Sequence, residues 1–215
     1  MSQNLFFKPY KGSLFETEGF CGKRILIMGA SFYCTVKKCR YFDICTCRTR
    51  KDSSSVDSKC PLYVPHHRRL SESPTVEIED GGTAYVRFGN LLASHYYPGE
   101  SWRDVFNRIS FTNYVQFVLP EMKTSDKDIT DRDLQAFYEA LDYTLADIII
   151  VWGCVINRPI TEQAIDKESL LKESGGYLCH IKHGDRTIAV INPYHPSFSW
   201  CYREQSKRDF FNAFD

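Results

Sequence analysis

Four side chains in this sequence are suited to chemistry on a polar ligand, and each follows a stretch that reads as a strand. Ser31 and Tyr33 come after Ile25-Leu26-Ile27-Met28-Gly29, and Asn113 closes the run that begins at Ile109. His195 follows Thr187-Ile188-Ala189-Val190-Ile191 by way of Asn192, Pro193 and Tyr194. The Asn113 carboxamide offers a donor and an acceptor, which suits the edge of a planar heterocycle. A histidine changes charge near neutral pH and can donate to a group on which negative charge develops. A serine hydroxyl can hold a water in place. Singly, each has an ordinary structural use: asparagine at a strand end commonly makes a turn, and a tyrosine or histidine commonly packs. Their shared position after strands is the signal.

The elements that must deliver them are legible from hydrophobic pattern. Ile25 to Gly29 is apolar without alternation, as in a strand buried on both faces of a parallel sheet. A turn at Gly29 throws Ala30, Ser31, Phe32 and Tyr33 out at the carboxyl end, where open α/β sheets bind ligands. Asp147 to Gly153 has the same apolar run and the same closing glycine. Ile109 to Phe117 reads as a short strand leading into a loop. Thr75 to Phe88 fits a hairpin around Asp80-Gly81-Gly82. Ser101 caps a helix with Asp104 in its first turn. Further helices are expected over Thr130–Ala146, Thr161–Lys172 and Ser199–Phe214, with Lys51–Lys59 a mobile loop. The alternation of strands and helices predicts an α/β fold: a three-layer α/β/α sandwich on a central, mostly parallel four-stranded sheet. Residues 1–215 read as one domain with a basic, cysteine-rich insertion at about 34–95.

Composition narrows the function classes. The 215 residues are 43% hydrophobic and 25% charged, ordinary values for a soluble globular chain. The longest apolar stretch, Ile148 to Ile156, is too short to span a bilayer. The start lacks the basic flank and apolar core of an export signal. No membrane partner, a cytoplasmic location and a monomer are the expectations. Formal net charge is zero, which argues against a protein that coats nucleic acid by bulk charge. Yet Cys34 to Arg69 carries nine Lys/Arg against three acids. Such a lobe can dock on phosphates or be simply a solvated loop.

Nine cysteines, an odd number without an export signal, point to a reducing compartment and to thiols or metal instead of a disulfide framework. Cys34, Cys39, Cys45, Cys47 and Cys60 cluster in the insertion. Structural zinc, free thiols and an iron–sulfur cluster are the alternatives. If metal binds, Cys39, Cys45, Cys47 and Cys60 form the expected set, with a role in folding the lobe. Chemistry at the strand-end residues is expected to need no cofactor.

Four blocks in order resemble the uracil-DNA glycosylase superfamily. Gly29-Ala30-Ser31-Phe32-Tyr33 is similar to the family's water-activating loop, Gly-Gln-Asp-Pro-Tyr. Asn113 in Phe111-Thr112-Asn113 looks like the family's base-reading asparagine. Val151-Trp152-Gly153 is similar to its Leu-Trp-Gly segment, and His195-Pro196-Ser197 matches its His-Pro-Ser. The resemblance spans about residues 23–214 and implies a DNA glycosylase that flips a uracil-like base into a pocket. It implies Asn113 as base reader, His195 as stabiliser of the leaving base and Ser31 as water-positioning group. Gly29, Ala30, Phe32, Tyr33, Ser197 and Phe198 would line the substrate site, with Phe198 as the wedge. The chain departs from the family at Ser31, where a carboxylate is usual. Asp104 and Glu121, in the segments on either side of Asn113, are the carboxylates considered in its place. A fold that kept the pocket and lost the chemistry would instead bind modified or single-stranded nucleic acid. A glycosidase acting on free nucleosides is the third option.

Overall fold

The protein is described by a computed structural model covering residues 4–34, 40–41, 51–119, 123–171, 176–193, 195–196 and 203–215. The strands are β1 (Tyr10–Lys11), β2 (Ile25–Gly29), β3 (Phe32–Tyr33), β4 (Ile109–Asn113) and β5 (Val118–Leu119). They continue with β6 (Ile148–Val151), β7 (Ala164–Leu171), β8 (Gly176–His183) and β9 (Arg186–Asn192). The helices are α1 (Ser73–Asp80), α2 (Thr83–Tyr96), α3 (Trp102–Phe106), α4 (Asp131–Thr144), α5 (Asn157–Thr161) and α6 (Glu204–Phe214).

All five residues of β2 are buried, as its unbroken apolar run requires. Successive side chains point to opposite faces of the sheet. Ile25 and Ile27 join a cluster with Phe88 of α2, Phe106 of α3 and Phe210 of α6. Leu26 and Met28 join another with Phe137 and Leu141 of α4 and Ile160 of α5. Strand β6 divides in the same way, with Ile148 and Ile150 on one side and Ile149 and Val151 on the other. The fold is therefore α/β, with helices on both faces of one sheet.

That sheet has seven strands in the order β1-β4-β2-β6-β9-β8-β7, instead of the expected four. The central neighbours β4, β2, β6 and β9 run parallel. Antiparallel β1 is added beside β4, and β8 and β7 extend the other side as an antiparallel meander from β9. The sheet is thus mixed. The β7 segment was expected as part of a helix over Thr161–Lys172. Its charged residues are good helix formers, but pairing with β8 outweighs that weak preference, and only Asn157–Thr161 is helical.

The hairpin expected at Thr75–Phe88 is two helices. Gly81 adopts φ 69°, the left-handed conformation that ends α1, and Gly82 caps the start of α2. Pro74 and Ile78, four residues apart, are buried on α1, and Tyr85, Phe88 and Leu92 continue at helical spacing on α2. The loop expected at Lys51–Lys59 contains a 3-10 helix, Ser54–Lys59, whose Val56 is 1% exposed. Asp57 there accepts from Ser71 N at 2.7 Å, and Ser53 Oγ accepts from Val118 N. This part of the insertion is built into the core. Other expectations hold closely: α4 and α6 lie within the helices read from pattern, and Ser101 caps α3, accepting from Asp104 N. Among the described residues, no helix is long and apolar enough to cross a membrane.

Candidate active site

Parallel register brings the carboxyl ends of β2, β4 and β6 to one edge. Gly29 pairs with Asn113, and Met28 with Val151. The ladder continues past the strands: Tyr114 N donates to Gly29 O at 2.8 Å, Val115 N to Ala30 O at 3.0 Å and Trp152 N to Met28 O at 2.9 Å. At this edge lies a cavity of about 320 Å³. Gly29, Ala30, Ser31, Tyr33, Asn113 and His195 all line it. Six of the residues singled out from sequence, spread over more than half the chain, therefore share one cavity. Its apolar walls come from Tyr85, Phe111 and Trp152. Tyr85 packs edge-on to Phe111 at 5.1 Å between ring centroids and lies 5.5 Å from Trp152.

Asn113 is 4% exposed, and its carboxamide lies against the Gly29 backbone. Its main-chain carbonyl accepts from Gln116 Nε2 at 2.7 Å. Gln116 Oε1 in turn accepts the amides of Phe6 and Phe7, each at 2.9 Å, and Gln116 N donates to the buried Asp133 at 2.7 Å. The base of the loop after β4 is thus tied to both the N-terminal segment and α4.

Ser31 is 8% exposed, and its hydroxyl is bonded to Thr124. Tyr33 Oη lies 2.7 Å from the same Thr124 hydroxyl, so Thr124 couples the two. Phe32 does not belong to the site. Strand alternation turns it away from its neighbours, and its ring packs 4.6 Å from Phe7 at 3% exposure. Phe32, expected among the substrate-site residues, is not among those that line this cavity.

His195 is half-buried with its ring 5.9 Å from that of Trp152, nearly perpendicular. Burial lowers its pKa below the ordinary 6.5, and the Arg87 charge lowers it further. Arg87 Nη1 also donates to Pro196 O at 2.8 Å, holding the His195-Pro196 segment to α2. Beneath it, the Asn192 carboxamide donates to Gly153 O at 3.0 Å and to Asn157, tying the end of β9 to the turn after β6.

The cavity contains a carboxyl group that sequence reading missed. Glu77 of α1 lines it and accepts from Tyr85 Oη at 2.9 Å. Burial raises its pKa above the ordinary carboxyl value, and Asp80 adds to the rise, while the Tyr85 hydrogen bond opposes it. Asp104 instead accepts from Ser101 in an exposed helix cap, and Glu121 lies outside the described residues.

Ser197, Phe198, Cys39, Cys45 and Cys47 lie outside the described residues. Cys60 is 6% exposed in the core cluster with Val56 and Leu70. Among the described residues, no three His, Cys, Asp or Glu side chains are grouped to hold a metal. In the basic segment, Arg68 is paired with Glu79 at 2.9 Å and Lys51 is bonded to the Lys127 carbonyl. Compared with known proteins, the chain matches no protein-family model and no curated protein.

Proposed function

We propose that this chain is a DNA glycosylase of the uracil type, hydrolysing the N-glycosidic bond of uracil or a related damaged or modified base. The observation that carries the reading is the single cavity lined by Asn113 and His195 and walled by Tyr85, Phe111 and Trp152. A flipped base needs a pocket that stacks its faces, reads its edge and stabilises the charge left when it departs. Aromatic walls supply the first and the Asn113 carboxamide the second. A neutral His195, favoured by its lowered pKa, donates to the base oxygen as negative charge develops there. Tyr33 limits what substituents fit, and Ser31 positions water in the pocket. The superfamily fold and a DNA partner engaged through the basic segment belong to the same proposal.

A pocket that binds modified or single-stranded nucleic acid without chemistry is the second reading. It is favoured by one observation: the Ser31 hydroxyl is bonded to Thr124 at the position where a carboxylate would be expected. Base release from oligonucleotides carrying uracil, hydroxymethyluracil, hypoxanthine or bulkier pyrimidines decides between them. Abasic sites made by the parent, and lost in both His195→Ala and Asn113→Ala, establish the enzyme. Binding that depends on those residues, with no release of any base, establishes the reader.

A further inference from the structure

The glycosylase reading leaves a chemical gap at Ser31, because a hydroxyl bonded to Thr124 cannot take a proton from water at neutral pH. Among the described residues lining the cavity, Glu77 carries the only carboxyl group. Three features set it apart from a surface acid. It is half-buried against apolar walls, and no Lys or Arg pairs with it among the described residues. Among the described residues its carboxyl group has one hydrogen-bond donor, Tyr85, which is 7% exposed and wedged against Phe111 and Trp152, so the donor is fixed in place. An uncompensated carboxylate among aromatic rings costs folding free energy. Such groups concentrate where a protein needs an acid or a base.

Resting on the glycosylase reading, we propose that Glu77 is the general base of the reaction, with Tyr85 as its positioning residue. The Glu77 carboxylate takes a proton from water as the water oxygen bonds to C1′ of the sugar. The C1′–N bond breaks, and its electron pair leaves with the base, whose anion accepts a hydrogen bond from neutral His195. Glu77 then returns its proton to the departing base or to solvent. Charge and atoms balance without metal or cofactor. The carboxyl group thus comes from a helix of the insertion instead of from the loop after the first central strand. Tyr85 donates to Oε2, and Oε1 is the oxygen assigned to take the proton. The chemistry favours bases that leave as stabilised anions, the class to which uracil-like pyrimidines belong.

The test is single-turnover base release by the full chain, on whichever oligonucleotide the parent cleaves, with substrate Kd measured alongside. Glu77→Gln keeps the acceptor for Tyr85 but cannot take a proton. It is expected to lower the rate by about 100- to 10,000-fold while Kd stays within about threefold. Formate, a small carboxylate, is expected to restore Glu77→Ala at least about tenfold by entering the vacated space. Glu77→Gln turning over within about threefold of the parent would overturn the proposal and leave the glycosylase reading standing. So would a rate loss fully explained by weakened Kd. Absence of release from any base by the parent removes the reading itself, and the role of Glu77 as a base with it.

Discussion

The Asn113 carboxamide lies against the α-carbon of Gly29, its partner across the parallel ladder. A Cβ at position 29 would sit 2.1 Å from Asn113 Oδ1. Gly29 is therefore a packing requirement of the putting-together of this edge: its missing side chain is the space in which the carboxamide sits. Gly29→Ala is expected to displace Asn113 and to cut base release by about 100-fold, since a shift near 1 Å in a reacting geometry costs that much. Asn113→Ala in the same background should add little further loss, because both act on one group. A double variant whose losses multiply would show that Gly29 acts independently of Asn113.

Gln116 is 2% exposed, and its side chain holds four main-chain groups: the amides of Phe6 and Phe7 and the carbonyls of Asn113 and, at 3.4 Å, Tyr114. Truncation strands buried polar groups, each worth about 1 to 3 kcal/mol when left unsatisfied. Gln116→Ala is expected to lose about 2 to 4 kcal/mol in urea unfolding, the range of a broken buried network. It should also weaken base recognition, because the carbonyl it releases belongs to Asn113. Unchanged unfolding would mean that water replaces all of these bonds.

The cavity was legible in sequence where strand ends carried the residues that line it. Ile25–Gly29 and Ile148–Val151 are unbroken apolar runs, and they place Ser31 and Trp152 at one edge without further information. Alternation within Ser31-Phe32-Tyr33 already implies that Phe32 faces away from its two neighbours, toward the core. The missed strand β8 also carried a readable signal, with Tyr177, Cys179 and Ile181 buried at every second position. Glu77 was hidden for a different reason. Val76 and Ile78 alternate around it as in a strand, and Asp80-Gly81-Gly82 is as good a hairpin turn as it is a junction between helices. Thr124 lies 93 residues from Ser31, and only tertiary folding pairs their hydroxyls.

His195 has its pKa lowered by burial and by Arg87, so the folded value lies below the unfolded one. Neutral His195 then contributes stability that is fully present above the ordinary value of 6.5 and is lost as pH falls through the folded value. Replacing it with glutamine removes that titration. The parent is expected to lose stability relative to His195→Gln as pH drops below 6.5, read as denaturation midpoints across a pH series. Parallel curves for the two proteins would place the ring in the same environment folded and unfolded.

Glu77 gives the opposite sign. Its folded pKa is raised above the ordinary carboxyl value of 4.5, chiefly by burial and further by Asp80, with the Tyr85 hydrogen bond working against both. The stability it contributes is fully present below 4.5, where the group is protonated in both states, and is lost as pH rises through the folded value. Glutamine has nearly the same shape, still accepts from Tyr85 and carries no charge to bury. Glu77→Gln is therefore expected to melt higher than the parent, with the gap opening as pH climbs above 4.5 and levelling off once the parent carboxyl is ionised. Scanning calorimetry at several pH values reads this directly. A variant that is more stable and yet inactive is what a strained functional group produces. A variant less stable than the parent at neutral pH would instead make Glu77 a structural partner of Tyr85, held for the hydrogen bond between them.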